Sequence, residues 1–87
     1  MKVYIVCADN GDNYLEDYEE WIVDVFDSYD KAVEHIERNP NMVKKCSGRW
    51  VEYDCGRDLY DFLLSIDDKM NNEEYHLRNW IEEWEVH

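Results

Sequence analysis

Basic residues are scarce in this sequence, and their scarcity narrows the classes of partner that the protein can have. Nine Lys and Arg stand against 22 Asp and Glu among 87 residues, which gives a formal net charge of −13 at pH 7. Such a chain repels the phosphates of nucleic acids and the anionic surface of a membrane. We therefore expect no direct binding to DNA, RNA or membranes, and we expect partners among basic protein surfaces or cations.

Glycine and cysteine are too few for several common kinds of site. The three glycines form no phosphate-binding loop, and the sequence has no His-Glu-x-x-His motif and no Ser-His-Asp arrangement. The three cysteines, Cys7, Cys46 and Cys55, lack the paired spacing of zinc ligands and fit reduced thiols in a cytosol. We expect no enzyme, no cofactor and no metal site, although a weak cation site in DNGDNYLED (residues 9–17) remains an alternative.

Long apolar runs are also missing. The first run, KVYIVCA, meets polar residues too early for a signal peptide or a membrane span. The chain is too short for two cores, so residues 1–87 are predicted to form a single domain. An aromatic share of 15% argues against disorder in spite of the charge. We predict a cytoplasmic protein of a bacterial host.

The first third of the sequence predicts a β-hairpin. Residues 2–8 are β-branched and aromatic in a continuous run, which is typical of a central strand. Residues 19–26 read as a second strand, with Trp21, Val23 and Val25 on one face. The turn-forming cluster DNGDN lies between the two strands and makes an antiparallel connection the simplest one.

Two helices are predicted from apolar periodicity and capping residues. Ser28 is a suitable N-cap for the first helix, which ends at Asn39-Pro40. Its apolar stripe consists of Tyr29, Ala32, Val33 and Ile36. Asp58 is expected to cap the second helix, which ends at Asn71-Asn72. The apolar stripe of this helix consists of Leu59, Phe62, Leu63, Ile66 and Met70. A short strand is predicted near residues 50–55.

The segment WIEEWEV fits either a helix or a strand by its periodicity. We favour a strand over residues 79–86, because a third strand beside the first would complete the layer on which the helices rest. Its tryptophans would hold it in place, with the glutamates toward solvent. One core is expected to contain Trp21, Ile36, Leu63 and Trp84. The predicted fold class is α+β: an antiparallel sheet of three to four strands with two helices packed on it, in the order β-β-α-(β)-α-β.

Several short motifs resemble those of a group of small phage and bacterial proteins. The matching stretches are KVYIV at residues 2–6, VFDS at residues 25–28, the KA of Lys31-Ala32 with Ile36, and IEEWEV at residues 81–86. The resemblance covers about half of the chain and supports the strand assignment of the last segment. It carries over no catalytic residue. It implies a phage accessory protein, a context in which small acidic proteins often inhibit a host or defence factor.

The distribution of acids and aromatics predicts a protein-binding surface. Residues 38–57 carry +3 (five basic, two acidic), so the remaining residues carry −16 (four basic, twenty acidic). Tyr14, Tyr18, Tyr53 and Tyr75 lie beside acids in predicted loops or on outer faces, where they either cover the core or anchor an interface. If the last strand lies near the first, the acids of the two could form one field. The predicted binding residues are Asp12, Glu16, Asp17, Glu19, Glu20, Asp24, Glu82, Glu83, Glu85, Tyr14 and Tyr18.

The function we predict is binding to a basic host or defence protein, such as a nuclease or a CRISPR effector. Carboxylates would take the positions of nucleic-acid phosphates on that protein's basic surface. The alternative is a small homodimeric structural or accessory protein, with the basic segment 38–57 facing the acidic remainder of a second copy. A weak metal-binding module or an enzyme is the third and least favoured interpretation.

Overall fold

Within the described part of the chain, five antiparallel strands and two helices form an α+β fold, which confirms the predicted class. The computed structural model describes residues 1–12 and 14–87. In chain order the elements are β1 (Lys2–Asp9), β2 (Glu20–Phe26), α1 (Tyr29–Glu37), β3 (Met42–Lys44), β4 (Trp50–Glu52), α2 (Arg57–Ile66), a 3-10 helix (Asp68–Asn71) and β5 (Arg78–Glu85). The sheet has one strand more than the upper end of the prediction, because the three-residue β3 is too short to show a period.

The first and last strands of the chain, β1 and β5, are neighbouring interior strands of the sheet. The strand order is β2-β1-β5-β4-β3, so β1 pairs on both sides. Its pairing with β5 runs over its whole length, from Lys2 opposite Glu85 to Asp9 opposite Arg78. A strand assignment for WIEEWEV, and its place beside β1, are both confirmed.

Helix α1 covers one face of strands β2, β1 and β5. Ser28 caps the helix as predicted, because its hydroxyl accepts the backbone N–H of Lys31 at 3.2 Å. Ala32 and Ile36 are fully buried and pack in one apolar cluster with Val6, Met42 and Trp50. We call this side of the sheet the α1 face.

Helix α2 packs on the opposite face of the sheet, over β3 and β4. Tyr60 from α2 is buried against Val43, Val51 and Tyr53, which form a second apolar cluster. Val51 follows Trp50 in β4, and consecutive side chains of a strand point to opposite faces. Because Trp50 packs with α1, Val51 and α2 must lie on the other side. The two helices therefore flank the sheet at different strands.

The single core expected around Trp21, Ile36, Leu63 and Trp84 is wrong. Only Ile36 is fully buried; Leu63 is half-buried, while Trp21 and Trp84 are 42% and 56% exposed. The core is instead divided between the two sides of the sheet, because each helix covers only part of its face. Trp84 lies on the part that neither helix covers.

A β-bulge in β2 explains why its two faces were assigned incorrectly. Residues 6 and 7 of β1 pair with Asp24 and Ile22, which leaves Val23 as an extra residue between them. The strict alternation of side chains is broken there, so Ile22 and Val25 share a face although the sequence pattern separates them. The pattern of apolar and polar residues in the sequence does not indicate a bulge of this kind.

The second helix differs from its prediction in both its ends and its buried side. It begins at Arg57 after Gly56 and ends at Ile66, so Asp58 lies within the first turn rather than at the cap. Tyr60 is its buried residue, and it was absent from the predicted stripe. Three members of that stripe are more than half exposed: Leu59, Phe62 and Ile66.

In residues 1–12 and 14–87 no helix combines the length and apolar character needed to cross a membrane.

Candidate protein-binding surface

The face of β2, β1 and β5 opposite α1 carries an apolar surface that no helix of the described residues covers. We call it the open face. Direct cross-strand pairing defines its members, because paired residues point to the same side. They are Val3, Ile5, Cys7 and Asp9 from β1, Glu20, Ile22 and Val25 from β2, and Arg78, Trp80, Glu82 and Trp84 from β5. Ile22 is 64% exposed and Val25 and Trp84 about half exposed, so this face presents large apolar groups to solvent.

A single carboxylate lies among the tryptophans of the open face. Glu82 accepts the indole N–H of Trp80 at 3.3 Å and that of Trp84 at 3.1 Å, each on a different oxygen. These bonds orient both rings around the acid. Glu82 therefore places a negative charge at the centre of an aromatic surface, which is the composition expected of a binding site for a cation with an apolar flank.

The acids of the open face affect the thiol of Cys7, which lies between them. Burial raises its pKa above the ordinary range, and the carboxylates of Glu82 and Glu20 raise it further. Glu20 on β2 and Glu82 on β5 thus act on the same group from the two sides of β1. Of the two predicted acidic clusters, these are the members that the structure places on the open face.

The remaining predicted acids of the strands lie on the other side of the sheet. Asp24 and Glu83 pair in register with Val6 and Tyr4, which places them on the α1 face. Glu83 forms an ion pair with Lys2 at 2.9 Å, and Glu85 lies 3.3 Å from the N-terminal amine. The two clusters are therefore divided between two faces, and part of the β5 charge is neutralised within the chain.

The loop between β1 and β2 is acidic and lies within a long stretch that has no base. No Lys, Arg or His occurs between Lys2 and Lys31, and nine acids do. Tyr14, Glu16, Asp17 and Glu19 are exposed there, as predicted for binding residues. Asp12 is half-buried and accepts the backbone N–H of Tyr14 at 2.8 Å, which shapes the turn. Asn13, named above within the alternative cation site, lies outside the described residues.

A buried ion pair fixes both ends of this loop. Asp9 is 1% exposed and accepts two hydrogen bonds from Arg78, at 2.8 and 3.0 Å. The same carboxylate accepts the backbone N–H of Gly11 at 2.9 Å and the hydroxyl of Tyr18 at 3.1 Å. One side chain therefore holds the first turn of the loop, its last residues and β5 together.

Tyr18 is a structural residue of the loop rather than a freely exposed anchor. Its single hydroxyl proton is shared between two carboxylates, with Glu20 at 2.9 Å and Asp9 at 3.1 Å from the hydroxyl oxygen. Burial and these two carboxylates raise its pKa to about 12. Tyr14, by contrast, is 63% exposed and available to a partner. Tyr53, predicted in an outer position, is buried against Tyr60, which corrects that expectation.

The basic segment 38–57 is partly engaged within the chain. The Lys45 ammonium donates to the hydroxyls of Tyr53 and Tyr60 and to the side-chain oxygen of Asn71. Arg49 lies over the ring of Trp80, with its guanidinium carbon 5.1 Å from the ring centre. Arg38 lies 3.4 Å from Glu34. These contacts leave less of the positive charge for a second molecule than the sequence suggests.

Thiol and imidazole side chains occur on both sides of the sheet. Cys7 belongs to the open face, whereas His35 of α1 packs on Phe26 on the other side of the sheet. Cys55 and His76 line a shallow cavity of about 320 Å³ with Tyr53 and other side chains. Within residues 1–12 and 14–87, His, Cys, Asp and Glu side chains do not converge in any group of three or more suited to a metal ion.

Sequence reasoning missed the Asp9–Arg78 pair and the open face. Arg78 immediately precedes the predicted last strand, and Asp9 immediately follows the predicted first strand. Antiparallel pairing of those strands in full register would have placed the two side by side.

No family model matches the chain, and no curated protein and no solved structure is detectably similar to it.

Proposed function

We propose that this protein binds a basic surface of another protein through the acidic loop, β2 and the open face. The observation that carries the proposal is the position of an acidic loop beside strands with exposed apolar side chains. Glu16, Asp17 and Glu19 are exposed in the loop, and no base occurs from Val3 to Asp30. The strands β2 and β5 expose Ile22, Val25 and Trp84. Charge gives such a surface its rate of association, and desolvated aromatic contacts give it affinity.

The favoured class of partner is a nucleic-acid-binding protein of a bacterial host or its defence system. Its basic groove attracts phosphates, and the carboxylates of Glu16, Asp17 and Glu19 offer negative charge on an exposed loop. The resemblance to small phage proteins supports the same context. The protein would then act as an inhibitor by occupying the groove in competition with DNA or RNA.

Charge-neutralised variants test this proposal. The loop variant carries Glu16→Gln, Asp17→Asn, Glu19→Gln and Glu20→Gln. The control carries the same number of neutralisations at exposed acids of the α2 region: Asp54→Asn, Asp58→Asn, Asp61→Asn and Asp68→Asn. Each protein serves as bait for host lysate at low and at moderate salt, and captured proteins are identified by mass spectrometry.

The proposal predicts a basic partner that is retained by the wild type and by the control, and lost by the loop variant. Capture should decrease with salt, because exposed charges are screened beyond about 8 Å at physiological ionic strength. Added DNA or RNA should compete with the protein for the purified partner. Equal binding by the loop and control variants would refute a role for the loop. A partner that binds the protein and its nucleic acid together, each with full affinity, would exclude mimicry.

The homodimer alternative has less support. It requires the basic segment 38–57 to face the acids of a second copy, but Lys45, Arg49 and Arg38 already have partners within the chain. A dimer held by charge should dissociate as salt rises. Light scattering over a salt series distinguishes this alternative, because it predicts a dimer at low salt and a monomer at high salt.

A further inference from the structure

The open face has the dimensions of a single missing helix. Neighbouring strands lie about 4.8 Å apart, so β2, β1 and β5 present a width of about 10 Å. An α-helix with its side chains is about 10–12 Å across. The same three strands are covered on their other face by one helix, α1. On this side of the sheet α2 packs over β3 and β4, and among the described residues no helix covers β2, β1 and β5 there.

The chemistry of the open face specifies what such a helix must carry. Ile22, Val25 and Trp84 require apolar side chains opposite them. Glu82, between the two indoles, and Glu20, at the β2 side, require cations. Arg49 shields only the end of the face at Trp80.

A second copy of this chain does not satisfy those requirements. Each copy carries −13, and face-to-face contact would bury the Glu20 and Glu82 carboxylates of both copies in one interface. Of the two arginines at this face, Arg78 is already paired with Asp9, and Arg49 alone would face two carboxylates in each copy. Like charges brought together in a desolvated interface cost several kcal/mol. A strand added to the outer edge of β2 would satisfy backbone groups but would leave Trp84, two strands away, exposed.

We propose that the open face binds an amphipathic helix of the partner, with an apolar stripe flanked by Lys or Arg. This inference rests on the proposed function and specifies how the basic partner is held. The helix lies along β1, its apolar residues at i, i+3, i+4 and i+7 contact Ile22, Val25 and Trp84, and a basic residue reaches Glu82. Docking converts the local two-layer arrangement into three layers, helix on sheet on helix.

Three synthetic peptides of about 17 residues, the helical length that matches the eight residues of β1, serve as probes. The first contains Leu and Lys at helical spacing. The second has the same composition with strict Leu-Lys alternation, which favours a strand. The third contains Leu and Glu at helical spacing. Binding to the full chain is measured by calorimetry, and light scattering gives the oligomeric state.

Two tryptophan variants locate the contact. Trp84→Ala removes an aromatic side chain from the open face, whereas Trp21→Ala removes one of similar exposure from the α1 face of the edge strand. Thermal melting establishes that both variants are folded. Ile22→Ser supplies a second change on the open face, so the test does not depend on one residue.

The inference predicts that the helical Leu/Lys peptide binds best, and that Trp84→Ala and Ile22→Ser each weaken it about tenfold or more. Trp21→Ala should change its affinity less than about threefold. If the alternating peptide binds best and Trp21→Ala and Ile22→Ser weaken it equally, the partner binds as a strand at the edge of β2 and not as a helix. A chain that is dimeric alone and becomes monomeric with Trp84→Ala would make a second copy the occupant.

The peptide and capture experiments together distinguish a failure of the helix-binding mode from a failure of the proposed function. If the open-face variants leave peptide binding unchanged, the helix mode is refuted, as it is if no Leu/Lys peptide binds. The proposed function survives either result when the basic partner is still captured and the loop variant still loses it. Loss of that capture pattern refutes the proposed function itself, whatever the peptides do.

Discussion

Arg78 donates two parallel hydrogen bonds to Asp9 across the β1–β5 pairing, from Nε at 2.8 Å and from a terminal nitrogen at 3.0 Å. The carboxylate is almost inaccessible to solvent, while the Arg78 side chain is 20% exposed. Removing one member of a buried pair leaves an uncompensated charge in a low-dielectric site. The contact therefore joins β5 to the base of the acidic loop.

The first prediction concerns the stability that depends on this pair. We expect Arg78→Leu to lower the free energy of unfolding by about 3–5 kcal/mol, because Asp9 is then buried without its cation. Lys2→Ala breaks the exposed pair with Glu83 and should cost no more than about 1 kcal/mol. Urea denaturation of both variants measures the difference. Equal costs would show that the Asp9 carboxylate is solvated in the folded protein.

The second prediction concerns the close contact of Gly11 with the segment before β5. A Cβ at Gly11 would overlap the carbonyl oxygen of His76, and the backbone φ of Gly11 is +72°. Gly48 has a φ of +88° with no atom within 4 Å of the same added carbon. Gly48→Ala should therefore cost about 1–2 kcal/mol from backbone strain alone, and Gly11→Ala clearly more. Chemical denaturation ranks them, and the reverse order would contradict the packing of the loop.

The third prediction separates the tryptophans of the core and of the surface. Trp50 is 1% exposed in the cluster under α1, so Trp50→Ala should cost about 3–5 kcal/mol. Trp84 is more than half exposed, and Trp84→Ala should cost about 1 kcal/mol or less. Thermal and urea unfolding compare the two. A large loss with Trp84→Ala would mean that the open face is covered in the isolated protein.

The fourth prediction concerns alkaline pH. The pKa of Tyr18 is raised to about 12 in the folded protein, against about 10 for a tyrosine in an unfolded chain. The stability contributed by its proton is fully present below pH about 10 and is lost as the pH rises through about 12. The stability difference between wild type and Tyr18→Phe should therefore shrink across that interval. Tyr14→Phe, which removes an exposed hydroxyl from the same loop, is the control.

The fifth prediction concerns the thiols. Cys46 is exposed, Cys55 half-buried and Cys7 buried with a raised pKa. Alkylation at neutral pH should therefore modify Cys46 first and Cys7 only when the protein is unfolded. We also expect no intramolecular disulfide. Mass spectrometry without reduction checks both points, and a Cys46–Cys55 bond in protein purified from cytosol would contradict the second.

The sequence was sufficient for the elements whose environment is regular. KVYIVCA predicted a central strand, and β1 has partners on both sides. Ser28 and the apolar spacing of α1 predicted its cap and its buried residues Ala32 and Ile36. In these segments a local pattern and its tertiary surroundings agree, so the pattern alone decides the structure.

The candidate site was harder to predict because it depends on which faces remain uncovered. The bulge at Val23 exchanges the faces of β2, and no period marks it. The helix α2 turns Tyr60 inward and leaves Phe62 and Ile66 exposed, since only the β3–β4 side lies beneath it. Periodicity indicates that a stripe is apolar; whether another layer covers that stripe is a property of the whole fold.

The pairing of the first strand with the last has a consequence for how the chain folds. Asp9 and Arg78 are 69 residues apart in the chain, so the β1–β5 ladder forms only after a long loop is closed. The β1–β2 hairpin has no such delay and can form as soon as those residues are available. During synthesis, at about 5–20 residues per second, β1 would wait roughly 3–14 s for β5. In that interval its free edge is open to incorrect pairing, and the acidic loop beside it supplies the repulsion that keeps nascent chains apart.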